Sequence, residues 1–261
     1  MADKTGISWT DHTFNIAWGC VKVSPGCAHC YAENLSNRLY GNVWGAKAPR
    51  RTFGAKHWAD PLKWNRAAKK SGRMAKVFCS SMCDIFEDHP TIEEELRKLW
   101  PLIRETPWLT WQLLTKRPER IAASLPNDWA EGYDNVWLGT SIESNDYASR
   151  ADALSEVPAA LRFISYEPAL GPLDMLNLDS IGWVIYGGES GPKFRRHELA
   201  WARDMRDRCR SRGIPFFYKQ SPHRSPGQGV KLNGRIIHQF PKDGALPAPS
   251  PVPASTASLF G

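Results

Sequence analysis

No stretch of this sequence approaches the roughly 18 consecutive apolar residues that span a bilayer as a helix. The opening segment MADKTGISWTDHTFNIAWGC lacks the basic-then-apolar order of a secretion signal. A cytoplasmic protein with no membrane partner is therefore expected. The P-loop pattern GxxxxGK[ST] is missing as well. GGESG at 187–191 has glycines that let backbone N–H groups approach a phosphate or another ligand, but nucleoside triphosphate binding is not expected. Cysteine is scarce, with six in 261 residues. In a reducing compartment these are a poor disulfide framework, and three fall within eleven residues, which reads as metal or cluster ligation.

What is present suits one large globular domain: 42% of residues are hydrophobic and 23% charged. That domain is expected over 1–243, with 41–75 as a long basic insertion that has no clean period and is therefore functional or mobile. Residues 244–261 (GALPAPSPVPASTASLFG) are rich in Ala, Pro and Ser and nearly uncharged, the composition of a disordered tail. A net charge of +7 suits a polyanionic partner, through counterion release from phosphates, or merely aids solubility. Of the twelve tryptophans, Trp111, Trp137 and Trp183 lie in apolar segments and read as core. Trp44, Trp58 and Trp64 fall among cations, where they either stack on unpaired bases or anchor a long loop.

Seven short runs rich in β-branched and aromatic residues read as strands: 13–18, 76–79, 110–114, 136–140, 161–165, 182–186 and 214–218. The clearest helical stretches between them are 91–104, 145–155 and 197–212. Alternation at this spacing implies βαβ units and a parallel sheet, read as a partial TIM-like α/β barrel, with an open doubly wound sheet as the alternative. Nearly every strand run ends in a polar cluster: SSMCD at 80–84, TKRPER at 115–120, SIES at 141–144, YEP at 166–168, GGESG at 187–191 and KQS at 219–221. A parallel barrel gathers such ends on one rim, where loops build a site.

The chemistry rests on Cys20, Cys27 and Cys30, spaced C-x6-C-x2-C with Gly19, Pro25 and Gly26 to fold the loop. Three thiolates leave one iron of a [4Fe–4S] cluster without a protein ligand, and S-adenosylmethionine (SAM) can chelate there. A Cys3His zinc site is the rival, with His12, His29, His89 or His223 as fourth ligand.

The segments WGCVKVSPGCAHCYAE, CSSMCDIFED, LLTKRPERI, LGTSIES, ISYEPALGPL, VIYGGESGP and FFYKQ resemble the phage Gp37/Gp68 family, DUF5131, from about Trp9 to Gln220. The resemblance implies a radical-SAM-like protein with a three-cysteine motif on a TIM-type barrel, sometimes with a dedicated partner protein. One departure is visible: Ser81-Met82-Cys83-Asp84 stands where SMSD is expected, with a further thiol at Cys79. Those two cysteines read as hydrogen-donor or radical-quenching candidates, or as inert core thiols.

A radical SAM fold implies further roles. Ser80, Ser81 and Asp84 are candidates for the SAM amino group, and Lys116 and Arg117 for its carboxylate. Ser141 and Glu143 would hold the ribose, and Tyr31 would pack near the adenine. Glu167, Glu189 and Lys219 are expected to bind substrate or transfer protons. The implied reaction needs a reductant such as flavodoxin or ferredoxin. The basic segment 47–75 and the run RRH at 195–197 favour a nucleic-acid substrate, for DNA photoproduct or base repair by a lyase, or for base modification. The competing class is a zinc-stabilised nucleic-acid-binding module without catalysis.

Overall fold

A computed structural model describes residues 5–242. The tail expected over 244–261 lies outside the described residues. Seven strands lie side by side in chain order, all parallel: β1 (His12–Phe14), β2 (Ala75–Cys79), β3 (Leu109–Thr115), β4 (Val136–Ser141), β5 (Leu161–Tyr166), β6 (Trp183–Gly187) and β7 (Phe216–Gln220). Parallel neighbours need crossover connections. α1 (Tyr31–Tyr40), α2 (Ala55–Trp58) and α3 (Asp60–Ser71) lie between β1 and β2. α4 (Pro90–Glu105), α5 (Ile121–Ser124), α6 (Ser149–Ser155) and α7 (Leu199–Ser211) precede β3, β4, β5 and β7 respectively. No helix among the described residues is long and apolar enough to cross a membrane.

Successive strand residues point to opposite faces of a sheet, and here each face has its own core. Val77, Cys79, Trp111, Leu113, Leu138, Ile164, Tyr186 and Tyr218 pack against Leu96, Leu99, Ile103, Leu154 and Met205 of the helices. The alternate residues Phe78, Trp137, Phe163, Trp183, Ile185 and Phe217 form a second cluster with Trp9. The Trp9 ring lies 4.6 Å from Phe78 on β2, 6.5 Å from Phe163 on β5 and 6.1 Å from Trp183 on β6. In a flat sheet β2 and β5 would be about 14 Å apart, so one ring touching both requires a curled sheet. The architecture is a partial TIM-like parallel barrel with an aromatic floor.

The chain after β7 forms the hairpin β8 (Lys231–Leu232) and β9 (Arg235–Ile236) and returns along the barrel edge. There the Tyr218 amide donates to the Ile237 carbonyl at 2.8 Å, and Phe217 bridges His238 in antiparallel sense. Phe240 then packs on Trp183 and Phe217, with Lys76 Nζ of β2 5.2 Å from its ring centre. Residues from both sides of the opening thus meet at the bottom of the barrel.

Four sequence expectations are corrected. Only the start of 13–18 pairs as a strand. Beyond Phe14 the Asn15 side chain accepts the Met82 amide at 2.7 Å, and Trp18 pairs with Arg51, pulling the chain off the sheet. The run 214–218 begins two residues late, because the Ile214 amide caps α7 by donating to Cys209 and Pro215 has no N–H to give a ladder. The stretch 145–155 splits into a 3-10 turn, Asn145–Tyr147, followed by α6. The insertion 41–75 is not an aperiodic loop: Pro61 sits in the first turn of α3, Gly72 closes it in the left-handed region, and buried Pro61 and Ala68 face inward. Trp58 and Trp64 of this stretch are anchors, both packing on Phe14, with His12 stacked on Trp64 at 4.4 Å.

Candidate functional site

Along the inward face polarity rises towards the C-terminal strand ends. β4 runs Trp137, Gly139, Ser141; β5 runs Phe163, Ser165, Glu167; β6 runs Trp183, Ile185, Gly187, Glu189. The polar ends open into a cavity of about 220 Å³ that is floored by Trp9, Phe78 and Leu114 and roofed by the cysteine loop. Cys20, Cys27 and Cys30 all line it, as do Tyr31, Ser80, Ser81, Cys83, Asp84, Lys116, Ser141, Glu167, Glu189 and Lys219. Three expected site residues do not: Cys79, Arg117 and Glu143.

Those three stand just behind the wall. Cys79 faces the helix layer and is fully buried; burial pushes its thiol up to about 12. Its Sγ lies 3.1 Å from Ser80 Oγ. Arg117 spends its guanidinium inward, donating to Asp84 Oδ2 at 2.8 Å and the Val21 carbonyl at 2.8 Å, with its Nη1 3.9 Å from Cys20 Sγ. Asp84 also accepts the Thr115 hydroxyl at 2.6 Å and the Lys116 amide at 3.0 Å. Burial, then the Asp84 and Glu87 carboxylates, push the Cys20 thiol up to about 12, with Arg117 opposing them. Burial likewise raises Cys30, and raises Cys83 well above the usual thiol range.

Glu143, 1% exposed, braces the cysteine loop. It accepts the Ser24 hydroxyl at 2.7 Å and is held by Arg150 at 2.8 Å, with Lys116 Nζ 3.8 Å away. Gly26 lies against it so closely that a Cβ would come within 2.4 Å of Glu143 Oε1. Glu189 is a second brace. His29 Nδ1 donates to it at 3.1 Å, and Arg195 both pairs with it and donates to the Pro25 carbonyl at 3.0 Å. Burial pushes the Glu189 carboxyl up, but the Arg195 and His29 hydrogen bonds outweigh it and hold the group below the usual carboxylate range. Ends of β4 and β6 therefore fix the two halves of one loop.

Elsewhere in the cavity Lys219 pairs with Glu167, and Gly187 between their strands has no room for a side chain, since a Cβ would lie 2.8 Å from Glu167 Cδ. The Tyr31 hydroxyl donates to the Ser81 carbonyl at 3.1 Å. Trp44 and Ser165 line the cavity too. Among the candidate fourth ligands His12 stacks on Trp64, His89 caps α4 and His223 bonds within its own loop; His29 alone of these four lines the cavity. The bracing partners Ser24, Arg150 and Arg195 were not singled out for that role from the sequence, because their meaning depends on which carboxylate they meet. Among the described residues, no three His, Cys, Asp or Glu side chains converge closely enough to share one ion.

These features define an α/β protein whose parallel half-barrel carries a three-cysteine loop over its C-terminal mouth. The chain belongs to the DUF5131 family, described as "Protein of unknown function", whose profile matches residues 4–241. A search of curated proteins found no match. Among solved structures it is similar to spore photoproduct lyase. A variant of that enzyme with bound AdoMet and dinucleoside spore photoproduct is 13% identical, with a TM-score of 0.47 over 76% of this chain and 61% of that one. A second variant is 13% identical, with a TM-score of 0.49 over 73% of this chain and 58% of that one. The chain thus spans less than two thirds of the length of either.

Proposed function

We propose that this protein is a radical SAM enzyme acting on a nucleic acid, with Cys20, Cys27 and Cys30 holding a [4Fe–4S] cluster. The observation that carries the reading is that all three thiols line the same cavity as polar side chains from the ends of β2 to β7. The donor set fits the group. A cluster takes each thiolate on a separate iron, so its ligands need not close around one ion, whereas a zinc site must draw them together. When bound, the cluster supplies the electron that cleaves SAM and opens radical chemistry at unactivated carbon.

The remaining work falls to the chain. The Arg117–Asp84 pair backs Cys20, and Glu143 and Glu189 hold the loop through Ser24, His29 and Arg195. Ser80, Ser81, Lys116 and Ser141 are assigned to SAM, with Tyr31 beside them. Lys219 and Glu167, paired across Gly187, are assigned to substrate binding or proton transfer. Cys83 is the hydrogen donor in this reading, because burial keeps its Sγ protonated and an S–H, not a thiolate, gives up a hydrogen atom. Lesion repair or base modification is the class of reaction such a donor serves, and an electron donor of the flavodoxin or ferredoxin kind is required, with room for a dedicated partner protein.

The test is anaerobic purification, metal analysis and a SAM cleavage assay with dithionite. About four irons per chain and release of 5′-deoxyadenosine or methionine support the enzyme. One zinc per chain with no SAM cleavage replaces it with the zinc-stabilised binding module.

A further inference from the structure

Two loops stand side by side on the β6–β7 rim of the cavity. Residues 188–197 follow β6, and Gly188, Glu189 and Ser190 line the cavity. Residues 221–230 follow β7, directly after the cavity residue Lys219 and Gln220. The backbones are stitched together: the Gly188 amide donates to Gln220 O at 2.9 Å, His223 N to Glu189 O at 3.1 Å, and Gly191 N to His223 O at 3.1 Å. Gln220, 1% exposed, splints them from beneath. Its Nε2 donates to the Gly188 carbonyl at 3.0 Å while its Oε1 accepts the Gly227 amide at 2.8 Å. The second loop is closed on itself by Ser221 N to Gly229 O at 3.0 Å. The conformational cost of ordering these loops is met in the fold rather than on binding.

Cations dominate the exposed charge on this double loop, with Glu198 at the N-cap of α7 as its one exposed carboxylate. The other carboxylate, Glu189, is 5% exposed and turned down onto Arg195 and His29, leaving Lys193, Arg196 and Arg224 outward. No large hydrophobic side chain within 188–197 or 221–230 is exposed; Leu199, which opens α7, is partly so, and a cluster of exposed apolar residues lies elsewhere, Tyr31, Leu35, Leu39 and Tyr40 on α1. Protein interfaces keep an apolar core within a polar rim, whereas phosphate recognition needs only placed cations. We infer that the paired loops 188–197 and 221–230 form a preformed shelf for the phosphodiester backbone of the nucleic acid whose base enters the cavity. This rests on the proposed nucleic-acid substrate and adds which surface holds the strand.

The experiment uses the anaerobically purified full chain and fluorescence anisotropy with a labelled single-stranded 20-mer over a salt series. Each phosphate neutralised contributes a slope of about 0.7 in log affinity against log salt for single strands. The variant K193E/R196E/R224E is expected to bind on the order of 100-fold more weakly at low salt, with the slope reduced by about 2. Its iron content and SAM binding should match the unsubstituted protein, and R210E/R212E, which reverses exposed charge at the C-terminal end of α7 away from the strand-end rim, should bind as the unsubstituted protein does. Should the reversal disturb folding, K193Q/R196Q/R224Q asks the same question and should lose roughly tenfold or more. Unchanged affinity in a folded, iron-loaded triple variant overturns the shelf while leaving the nucleic-acid reading intact. An unsubstituted protein that binds no oligonucleotide overturns both. Poly-glutamate of matched length binding as tightly through the same residues overturns the phosphodiester assignment in favour of an acidic protein.

Discussion

The floor and the mouth of the half-barrel use the same inward-facing positions of the same strands, yet they are held together by different physics. At the floor, Trp9, Phe78, Trp137, Phe163, Trp183 and Phe217 pack ring against ring, and burial alone makes each contact favourable. At the mouth a few residues further along, almost every contact is a charged hydrogen bond: Arg117 to Asp84, Arg150 to Glu143, Arg195 to Glu189, Lys219 to Glu167. An apolar floor tolerates volume-conserving changes because its energy is spread over many atoms. A braced mouth does not, since removing one partner strands the other's charge.

The sharpest way to break this comparison is Cys27→Ala. Iron is expected to fall from about four per chain to less than one while the chemical denaturation midpoint of the apo protein stays unchanged; retained stoichiometric iron would sink the cluster assignment. Trp183→Ala is the converse. It leaves a cavity among Trp9, Trp137, Phe217 and Phe240 and should lower stability by about 3–5 kcal/mol, read by urea unfolding, while the folded fraction still loads iron. Gly26→Ala tests the brace itself. Its methyl would meet Glu143, so a loss of about 1–3 kcal/mol in stability together with reduced iron occupancy is expected, and full occupancy at wild-type stability would show that the loop is not pinned there.

The smaller effects separate neighbouring groups. Cys83→Ala should leave iron and SAM cleavage intact and block product, whereas Cys79→Ala, on the helix side, should cost about 1 kcal/mol and leave the chemistry unchanged. Equal loss of product in both would erase the distinction between the thiol that lines the cavity and the buried one behind it. Lastly, His197 is half-buried against Tyr186, and that partial burial lowers its pKa from 6.5 to about 4. Above pH 6.5 the imidazole is neutral in both states and its contribution is complete. Between 6.5 and 4 only the unfolded chain takes the proton, so stability falls as the pH drops through that window. His197→Phe should flatten the slope there; an unchanged slope would assign it to other groups.

Much of this was legible in the residues. Short runs rich in β-branched and aromatic residues, each followed by a polar cluster, located the strands, and parity would have placed Cys79 on the opposite face from Phe78, because successive side chains of a strand alternate. The C-x6-C-x2-C spacing singled out the loop that the structure sets against the cavity. The helix in 60–71 was hidden because its apolar residues are few and its cations many, so packing on Phe14, not periodicity, decides it.

The sequence by itself determined the composition of the mouth: which strand ends carry Ser, Lys, Glu and Cys, and that three thiols share one loop. Only the tertiary structure decided which of these groups face the cavity and which stand behind it. Glu143 and Arg117 resemble free ligand-binding groups until Ser24, Gly26 and Asp84 are seen beside them. Those partners come from other strands and loops, up to 119 residues away, and a charge is spent or free according to what the curl of the sheet brings within hydrogen-bond reach.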